Sequence, residues 1–142
     1  MGQMASKNVG NVEKLVRSEE EWKRILPSDK YRILRQGGTE PAFHNEYWDE
    51  HRAGTYVCGG CGLPLFSSDA KFDSGTGWPS FFAPIAPQNV ETAEDVRYGM
   101  MRTEVKCVRC GGHLGHLFDD GPRPTGLRYC MNSGSLDFRP EK

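Results

Sequence analysis

Four of the five cysteines form two C-x-x-C pairs, Cys58-Gly-Gly-Cys61 and Cys107-Val-Arg-Cys110, with 45 residues between them. Each pair turns the chain so that two sulfurs point at one centre. Two such pairs complete the tetrahedral four-thiolate shell of a structural Zn²⁺ site. The spacing therefore predicts structural zinc bound by Cys58, Cys61, Cys107 and Cys110.

Three alternatives compete with a four-cysteine zinc site. Disulfides would leave the fifth cysteine over, and a redox-active C-x-x-C is expected singly within a βαβ unit. Zinc ligation by His113 and His116 would need a C-x₂-C-x₂-H-x₂-H run, which is tighter than the spacing of a zinc finger. It would also leave the first C-x-x-C pair without partners, so we expect both histidines to be free for other work.

The fifth cysteine, Cys130, lies in the run Arg128-Tyr-Cys-Met-Asn132, which we predict to be a strand. Because side chains alternate along a strand, Arg128, Cys130 and Asn132 share one face. A nearby guanidinium favours the thiolate, which is the reactive form of cysteine. An inert core cysteine is the alternative, since free cysteines are often buried.

Two further runs contain residues that suit chemistry. Glycines flank the indole in Gly75-Thr-Gly-Trp78, which indicates either a bent loop that presents the ring or a core tryptophan in a turn. His113-Leu-Gly-His116 follows the second C-x-x-C pair. A thiolate, an aromatic wall and imidazole proton donors would together suit nucleophilic attack on a centre whose oxygen leaves protonated.

The elements that must position these residues are short. Ser18 and Glu21 form a capping-box signature, followed by Trp22, Ile25 and Leu26 on one predicted helical face that ends at Pro27. Ser28 is a second predicted N-cap, with Tyr31 and Leu34 on one face and Gly37-Gly38 as the stop. The β-like runs that follow are Thr55–Cys58, Arg97–Lys106, Leu127–Met131 and Leu136–Phe138. We predict a mainly β fold, with antiparallel sheets, two short N-terminal helices and the zinc site.

Length and charge limit the class of protein. A chain of 142 residues is expected to form a single domain, which we assign to residues 13–142, after a disordered segment 1–12. The net charge of -1 argues against binding to nucleic acid or to an anionic membrane, and no apolar run approaches the roughly 20 residues of a membrane span. We expect a monomer.

The N-terminal region predicts the cellular compartment. The first thirty residues hold no continuous apolar stretch, so we expect no secretory signal and a reducing, cytoplasmic location. The start Met1-Gly2 also fits the permissive N-myristoylation pattern. We interpret it as part of the disordered segment.

The order of these motifs resembles the B-type methionine-R-sulfoxide reductases. The motifs are the first C-x-x-C, FDSGTGWPSF at 72–81, C-x-x-C-GGHLGH at 107–116, DDGP at 119–122 and RYCMNSGSLDF at 128–138. The resemblance implies that Cys130 is the catalytic cysteine, whose thiolate attacks the sulfoxide sulfur and becomes a sulfenic acid. It implies that Trp78 packs on the methyl group of the substrate, and that His113 and His116 bind and protonate the sulfoxide oxygen. It also implies that Arg128 and Asn132 stabilise the nucleophile and the polar side of the pocket.

One position departs from the family pattern. Thr76 stands where many members carry a second cysteine that forms a disulfide with the catalytic one. The resemblance therefore implies reduction of the sulfenic acid by an external thiol, such as thioredoxin or glutathione with glutaredoxin. It also implies that the substrate is free or protein-bound methionine-R-sulfoxide, one of the two epimers of a common oxidative lesion.

Three other functions were considered. A zinc-knuckle binding module without catalysis would account for the paired C-x-x-C motifs, and a one-cysteine peroxide reductase would use the same thiolate. A hydrolytic zinc enzyme is the least favoured, because a closed four-thiolate shell leaves no position for a water molecule.

Overall fold

The computed structural model describes residues 12–141, apart from the side chain of Tyr98. The myristoylation-like start and nearly all of the predicted disordered segment lie outside the described residues. Within residues 12–141, no helix is long and apolar enough to cross a lipid bilayer.

Two short helices precede the strands: α1 spans Glu19–Ile25 and α2 spans Ser28–Gln36. The predicted capping box at α1 is confirmed. Ser18 Oγ accepts a hydrogen bond from the Glu21 amide at 3.1 Å, and Glu21 Oε1 accepts one from the Ser18 amide at 3.2 Å. α2 ends at Gly37, whose φ of 69° is a left-handed conformation that glycine adopts without strain.

Two details of the helix prediction are wrong. Ile25 is 49% exposed, because α1 is only seven residues long and packs inward through Trp22. Ser28 does not cap α2; the N-cap residue is Pro27, and no side chain accepts a hydrogen bond there. The Pro27 carbonyl already accepts from the Tyr31 amide at 2.9 Å, so the helical hydrogen bonding starts one residue earlier than predicted.

Within the described part of the chain, nine strands form two sheets in which every strand pair is antiparallel. The strands are β1 Gly54–Cys58, β2 Pro64–Ser67, β3 Lys71–Phe72, β4 Ser80–Phe81, β5 Val90–Asp95, β6 Arg102–Cys107, β7 His113–Phe118, β8 Arg128–Met131 and β9 Leu136–Pro140. One sheet has the order β2-β1-β9, and the other has the order β3-β4-β8-β7-β6-β5. The predicted fold class is confirmed.

The predicted strands at Thr55, Leu127 and Leu136 correspond to β1, β8 and β9. The run predicted from Arg97 to Lys106 is too long. Arg97–Gly99 forms a 3₁₀ turn and β6 begins only at Arg102, because Gly99 adopts a left-handed φ of 71° that interrupts the extended chain. The sequence prediction missed five strands, β2, β3, β4, β5 and β7. In β7 a glycine interrupts the six-residue run, and β3 and β4 are only two residues long.

Aromatic side chains join the two sheets. Phe66 of β2 stacks on Phe81 of β4 with ring centroids 4.5 Å apart. Tyr56 of β1 meets Phe81 edge-on at 5.1 Å, and Tyr129 of β8 tilts against Phe66 at 5.6 Å. All four rings are buried, and such pairs contribute about 0.5–1.5 kcal/mol each beyond their buried area. This packing holds β8, which carries Cys130, and the neighbouring β4 in a fixed position.

Candidate active site and metal centre

Cys130 lies on β8 between β4 and β7. Its register partners are Ser80 of β4 and His116 of β7. It contributes to the wall of a cavity of about 100 Å³, whose other lining residues are Thr39, Trp78, Arg102, Gly115, His116, Phe118, Met131 and Asn132. The structure thus brings together four of the residues predicted to act on substrate: Cys130, Trp78, His116 and Asn132.

Gly115 allows β7 and β8 to approach closely beside this cavity. A Cβ atom at this position would lie 2.1 Å from the Cys130 carbonyl oxygen and 2.8 Å from the Met131 Cα. Both are backbone atoms, so no side-chain movement would relieve the clash. A glycine between the two histidines is therefore required for His116 to lie opposite Cys130.

The two histidines have different places. His116 lines the cavity, whereas His113 is buried behind it, with the two ring centroids 5.3 Å apart. Burial lowers the pKa of His113, against the opposing effect of its hydrogen bond to Glu104. Its Nε2 atom is buried without a hydrogen-bond partner among the described residues. His113 is thus a neutral ring that supports His116 from behind the cavity.

Each histidine pairs with a carboxylate that sequence reasoning missed. Asp95 Oδ2 lies 2.8 Å from His116 Nε2, and Glu104 Oε2 lies 2.7 Å from His113 Nδ1. Hydrogen bonds from Arg97 and then from His116 hold the pKa of Asp95 well below its usual range. Asp95 is therefore ionised, and the His116 Nε2–H donates to it. No short sequence motif identifies these two acidic residues. They lie beside the histidines because of the register in which β5, β6 and β7 pair.

Arg128 lies near enough to Cys130 for its charge to lower the pKa of the thiol, but it is not part of the cavity wall. Its Nε and Nη2 donate to the two carboxylate oxygens of Asp120 at 2.8 and 3.2 Å. Its guanidinium carbon lies 4.3 Å from the centroid of the Phe118 ring. The paired carboxylate and the ring hold the cation in one orientation beside the sulfur.

The ionisation of Cys130 reflects opposing effects. Burial is the largest and raises the pKa of the thiol above its ordinary value of 9.0. The charge of Arg128 and hydrogen bonds from Thr76 and Arg128 lower the pKa, while the charge of Asp120 raises it. The guanidinium favours the thiolate, as the sequence predicted, but burial outweighs it in the free protein.

This balance predicts slow alkylation of Cys130 at neutral pH. Because only the thiolate reacts, the rate with iodoacetamide should rise about tenfold per pH unit and level off above pH 9. The measurement is the alkylated fraction of Cys130, followed by mass spectrometry in the metal-bound protein. A plateau reached below pH 8 would contradict the dominance of burial.

Trp78 is held in the wall by the chain that follows α2. Its indole Nε1 donates to the main-chain oxygen of Glu40 at 3.0 Å. The buried carboxylate of Glu40 accepts hydrogen bonds from the Ser133 and Gly134 amides, just after Asn132. Glu40 therefore ties the indole to the end of β8, and its position in a loop gave no sequence signal for this role.

The four C-x-x-C cysteines converge at the ends of β1 and β6 and in the turns that follow. Their sulfurs all lie within 4.8 Å of one another. The Cys58–Cys110 sulfur distance is 3.7 Å and the Cys61–Cys107 distance is 3.5 Å. Tetrahedral ligation at the Zn–S length of about 2.3 Å puts sulfurs about 3.8 Å apart. The four cysteines are thus placed to bind a metal ion, and their spacing fits zinc.

This metal-binding cluster is joined to the helices. Arg35 of α2 donates from Nη1 to the Cys110 carbonyl oxygen at 2.8 Å, and its guanidinium carbon lies 4.7 Å from the Trp22 ring centroid. The histidines stay outside the cluster, as expected, since His113 is paired with Glu104. A bound ion would thus fix β1, β6 and the helical layer relative to one another.

Comparison with known proteins identifies the family. Residues 26–140 match the family model described as the SelR domain. The chain is 57% identical over 129 residues to the peptide methionine sulfoxide reductase MsrB of Bradyrhizobium diazoefficiens, covering 91% of this chain and 93% of the relative. It is 57% identical over 125 residues to the protein of that name from Thiobacillus denitrificans (88% and 95%), and 54% over 129 residues to the one from Acinetobacter baumannii (91% and 93%).

The fold and the site define a mainly β protein with a four-thiolate metal-binding cluster and a cysteine in a small aromatic cavity. With these matches, the chain belongs to the SelR-domain family, the B-type methionine sulfoxide reductases. The resemblance stated from the sequence motifs is confirmed.

Proposed function

We propose that this chain reduces methionine-R-sulfoxide, free or within polypeptides, to methionine, with Cys130 as the nucleophile. The observation that carries the proposal is the position of Cys130, which lines a small cavity with an indole, a phenyl ring and an imidazole. Family membership supports the reaction, and the cavity supports the assignment of roles. The zinc-knuckle binding module and the peroxide reductase have no comparable support.

The cavity wall offers different surfaces to the two sides of a sulfoxide. Trp78 and Phe118 provide apolar rings against which an S-methyl group packs. His116 and Asn132 provide polar groups for the sulfoxide oxygen. A chiral sulfur centre between these surfaces is bound in one handedness, which is the physical basis for selecting one epimer.

The chemical step transfers one oxygen atom. The Cys130 sulfur attacks the sulfoxide sulfur, the sulfur–oxygen bond of the substrate breaks, and the oxygen ends on Cys130 as a sulfenic acid. The sulfoxide is reduced by two electrons and the cysteine is oxidised by two. Thiol plus sulfoxide gives sulfenic acid plus thioether, so the proton that leaves the sulfur is the one that the oxygen needs.

His116 is suited to move that proton. Its Nε2–H is held by ionised Asp95, so Nδ1 is the nitrogen left to take a proton and return it. A buried thiol with a raised pKa keeps the proton in the site until substrate arrives. His113 and its partner Glu104 fix the ring of His116 from behind. Asp95, Glu104 and His113 thus act by positioning.

Regeneration of Cys130 requires thiols from outside the chain. Thr76, the residue beside Cys130, carries no sulfur, and the other four cysteines converge on one another. An external thiol displaces the hydroxyl of the sulfenic acid as water and forms a mixed disulfide, which a second thiol reduces. Thioredoxin, or glutathione with glutaredoxin, supplies such thiols in a reducing compartment such as the cytoplasm.

The metal proposed for the cluster is a structural Zn²⁺ held by Cys58, Cys61, Cys107 and Cys110. A closed four-thiolate shell supplies no catalytic water; it links the two C-x-x-C turns. This link holds β6 in place. Arg102 of β6 lines the cavity, and Glu104 of β6 pairs with His113.

An assay with separated epimers tests the function. With a dithiol reductant in excess, we expect turnover of the R epimer, no turnover of the S epimer above background, and little reduction of hydrogen peroxide. The substrates should be offered both as the free amino acid and within a short peptide. Equal turnover of the two epimers, or a preference for peroxide, would refute the proposal.

A further inference from the structure

Three hydroxyl groups form a connected line beside Cys130, which we call the hydroxyl chain: Thr76, Ser74 and Ser80. The Thr76 and Ser74 side-chain oxygens are 2.7 Å apart, and the Ser74 and Ser80 oxygens are 2.8 Å apart. Ser80 is fully buried and is the register partner of Cys130 across β4 and β8. Thr76, at the other end of the line, stands close enough to Cys130 for its hydroxyl to lower the pKa of the thiol.

The direction of the hydrogen bonds in this line depends on Cys130. A thiol donates its proton to the Thr76 oxygen. Thr76 then donates to Ser74, Ser74 to Ser80, and Ser80 to the Trp78 carbonyl oxygen, which lies 3.1 Å away. A thiolate has no proton and needs a donor, so the line reverses: Ser74 donates to Thr76, and Thr76 donates to the sulfur. Hydroxyl protons rotate freely enough for both arrangements.

The charged groups around the sulfur come from other directions. Arg128 and its partner Asp120 approach along β8 and the preceding loop, while His116, backed by Asp95 and Arg97, faces Cys130 from β7. Arg102 lies across the cavity. On the remaining side, β4 consists of Ser80 and Phe81, neither of which carries a charge. On that side, only hydrogen bonds from the hydroxyl chain are available among the described residues to stabilise a sulfur anion.

We propose that Thr76 is a further catalytic residue, whose hydroxyl donates to the Cys130 thiolate and accepts from the thiol, with Ser74 and Ser80 reversing their hydrogen bonds as the sulfur ionises. The inference rests on the proposed function in that it takes Cys130 as the nucleophile. A hydrogen bond to an ionised group stabilises it more than one between neutral groups. Because the chain is neutral, it assists the thiolate without attracting or repelling a charged substrate.

The test is the pH dependence of Cys130 alkylation by iodoacetamide in the metal-bound protein. Thr76→Val removes the hydroxyl and keeps the volume, and it should move the midpoint upward by about one to two pH units. It should also lower kcat/KM for the R epimer at neutral pH by about tenfold or more. Thr76→Ser keeps a hydroxyl and should restore both values. Thr92→Val is the matched control, since Thr92 is exposed on β5, and it should change neither.

Two outcomes would overturn the inference: a Thr76→Val midpoint equal to that of the unaltered protein, or a failure of serine to restore it. If the valine variant does not fold, Thr76→Ala gives the same test without placing a methyl group against the sulfur. The alkylation midpoint is read without sulfoxide. A protein inactive on both epimers would therefore defeat the proposed function alone, and an unshifted midpoint in an active protein would defeat this inference alone.

Discussion

Replacement of Cys130 by serine is expected to lower R-sulfoxide turnover by at least about 10³-fold. Serine is close in size, but its hydroxyl is a far weaker nucleophile than a thiolate and cannot accept an oxygen atom. The measurement is methionine released per enzyme with excess thiol reductant. The thermal midpoint and the metal content should not change, because Cys130 lies outside the four-sulfur cluster.

Cys110→Ser is the matched control for this substitution. It makes the same chemical change at a buried cysteine, but within the metal-binding cluster. We expect it to lose metal and stability, whereas Cys130→Ser loses only turnover. A Cys130→Ser protein that still repairs sulfoxide at the normal rate would remove Cys130 from the mechanism.

Removal of the metal is expected to unfold the β sheets. Structural zinc contributes about 10–16 kcal/mol in zinc-finger peptides, which is comparable to the whole free energy of unfolding of an ordinary domain, about 5–15 kcal/mol. Here the four sulfurs join the ends of β1 and β6, and α2 is bonded to Cys110. Chelation should therefore abolish the β-type circular dichroism signal, and added Zn²⁺ should restore it.

The chelation experiment needs an independent metal assay. Elemental analysis should show that the treated sample has lost its bound metal in proportion to the lost signal. Cys130→Ser, treated in the same way, should behave like the unaltered protein. A sample verified as metal-free that keeps its fold and its thermal midpoint would contradict a structural role for the ion.

Much of the site follows from short-range patterns in the sequence. The spacing within each C-x-x-C pair makes the turn that aims two sulfurs at one point, so the cluster was predictable without a fold. Cys130 and Asn132 both line the cavity, as the predicted alternation requires; Met131 between them lines it as well, and Arg128 does not. The capping box at Ser18 is local as well, because its two hydrogen bonds join residues three apart.

The supporting residues follow from long-range register, which the sequence does not display. Asp95 lies 21 residues from His116 along the chain, and Glu40 lies 93 residues from Ser133. Their roles depend on which strands pair and how the loop after α2 returns to β8. Ile25 shows the opposite failure: its helical spacing predicted burial, but Trp22 is the residue of α1 that is buried and Ile25 is exposed.

A single turnover with the R epimer, in the absence of any thiol reductant, tests the central claim most directly. One methionine should be released per chain, and mass spectrometry of the intact protein and its peptides should show one oxygen atom added at Cys130. In a parallel sample treated with dimedone, which displaces that oxygen as water, Cys130 should carry one dimedone group instead. No disulfide should link Cys130 to Cys58, Cys61, Cys107 or Cys110. Release of methionine from a protein whose Cys130 stays unoxidised, or a disulfide between Cys130 and one of those four, would contradict the account.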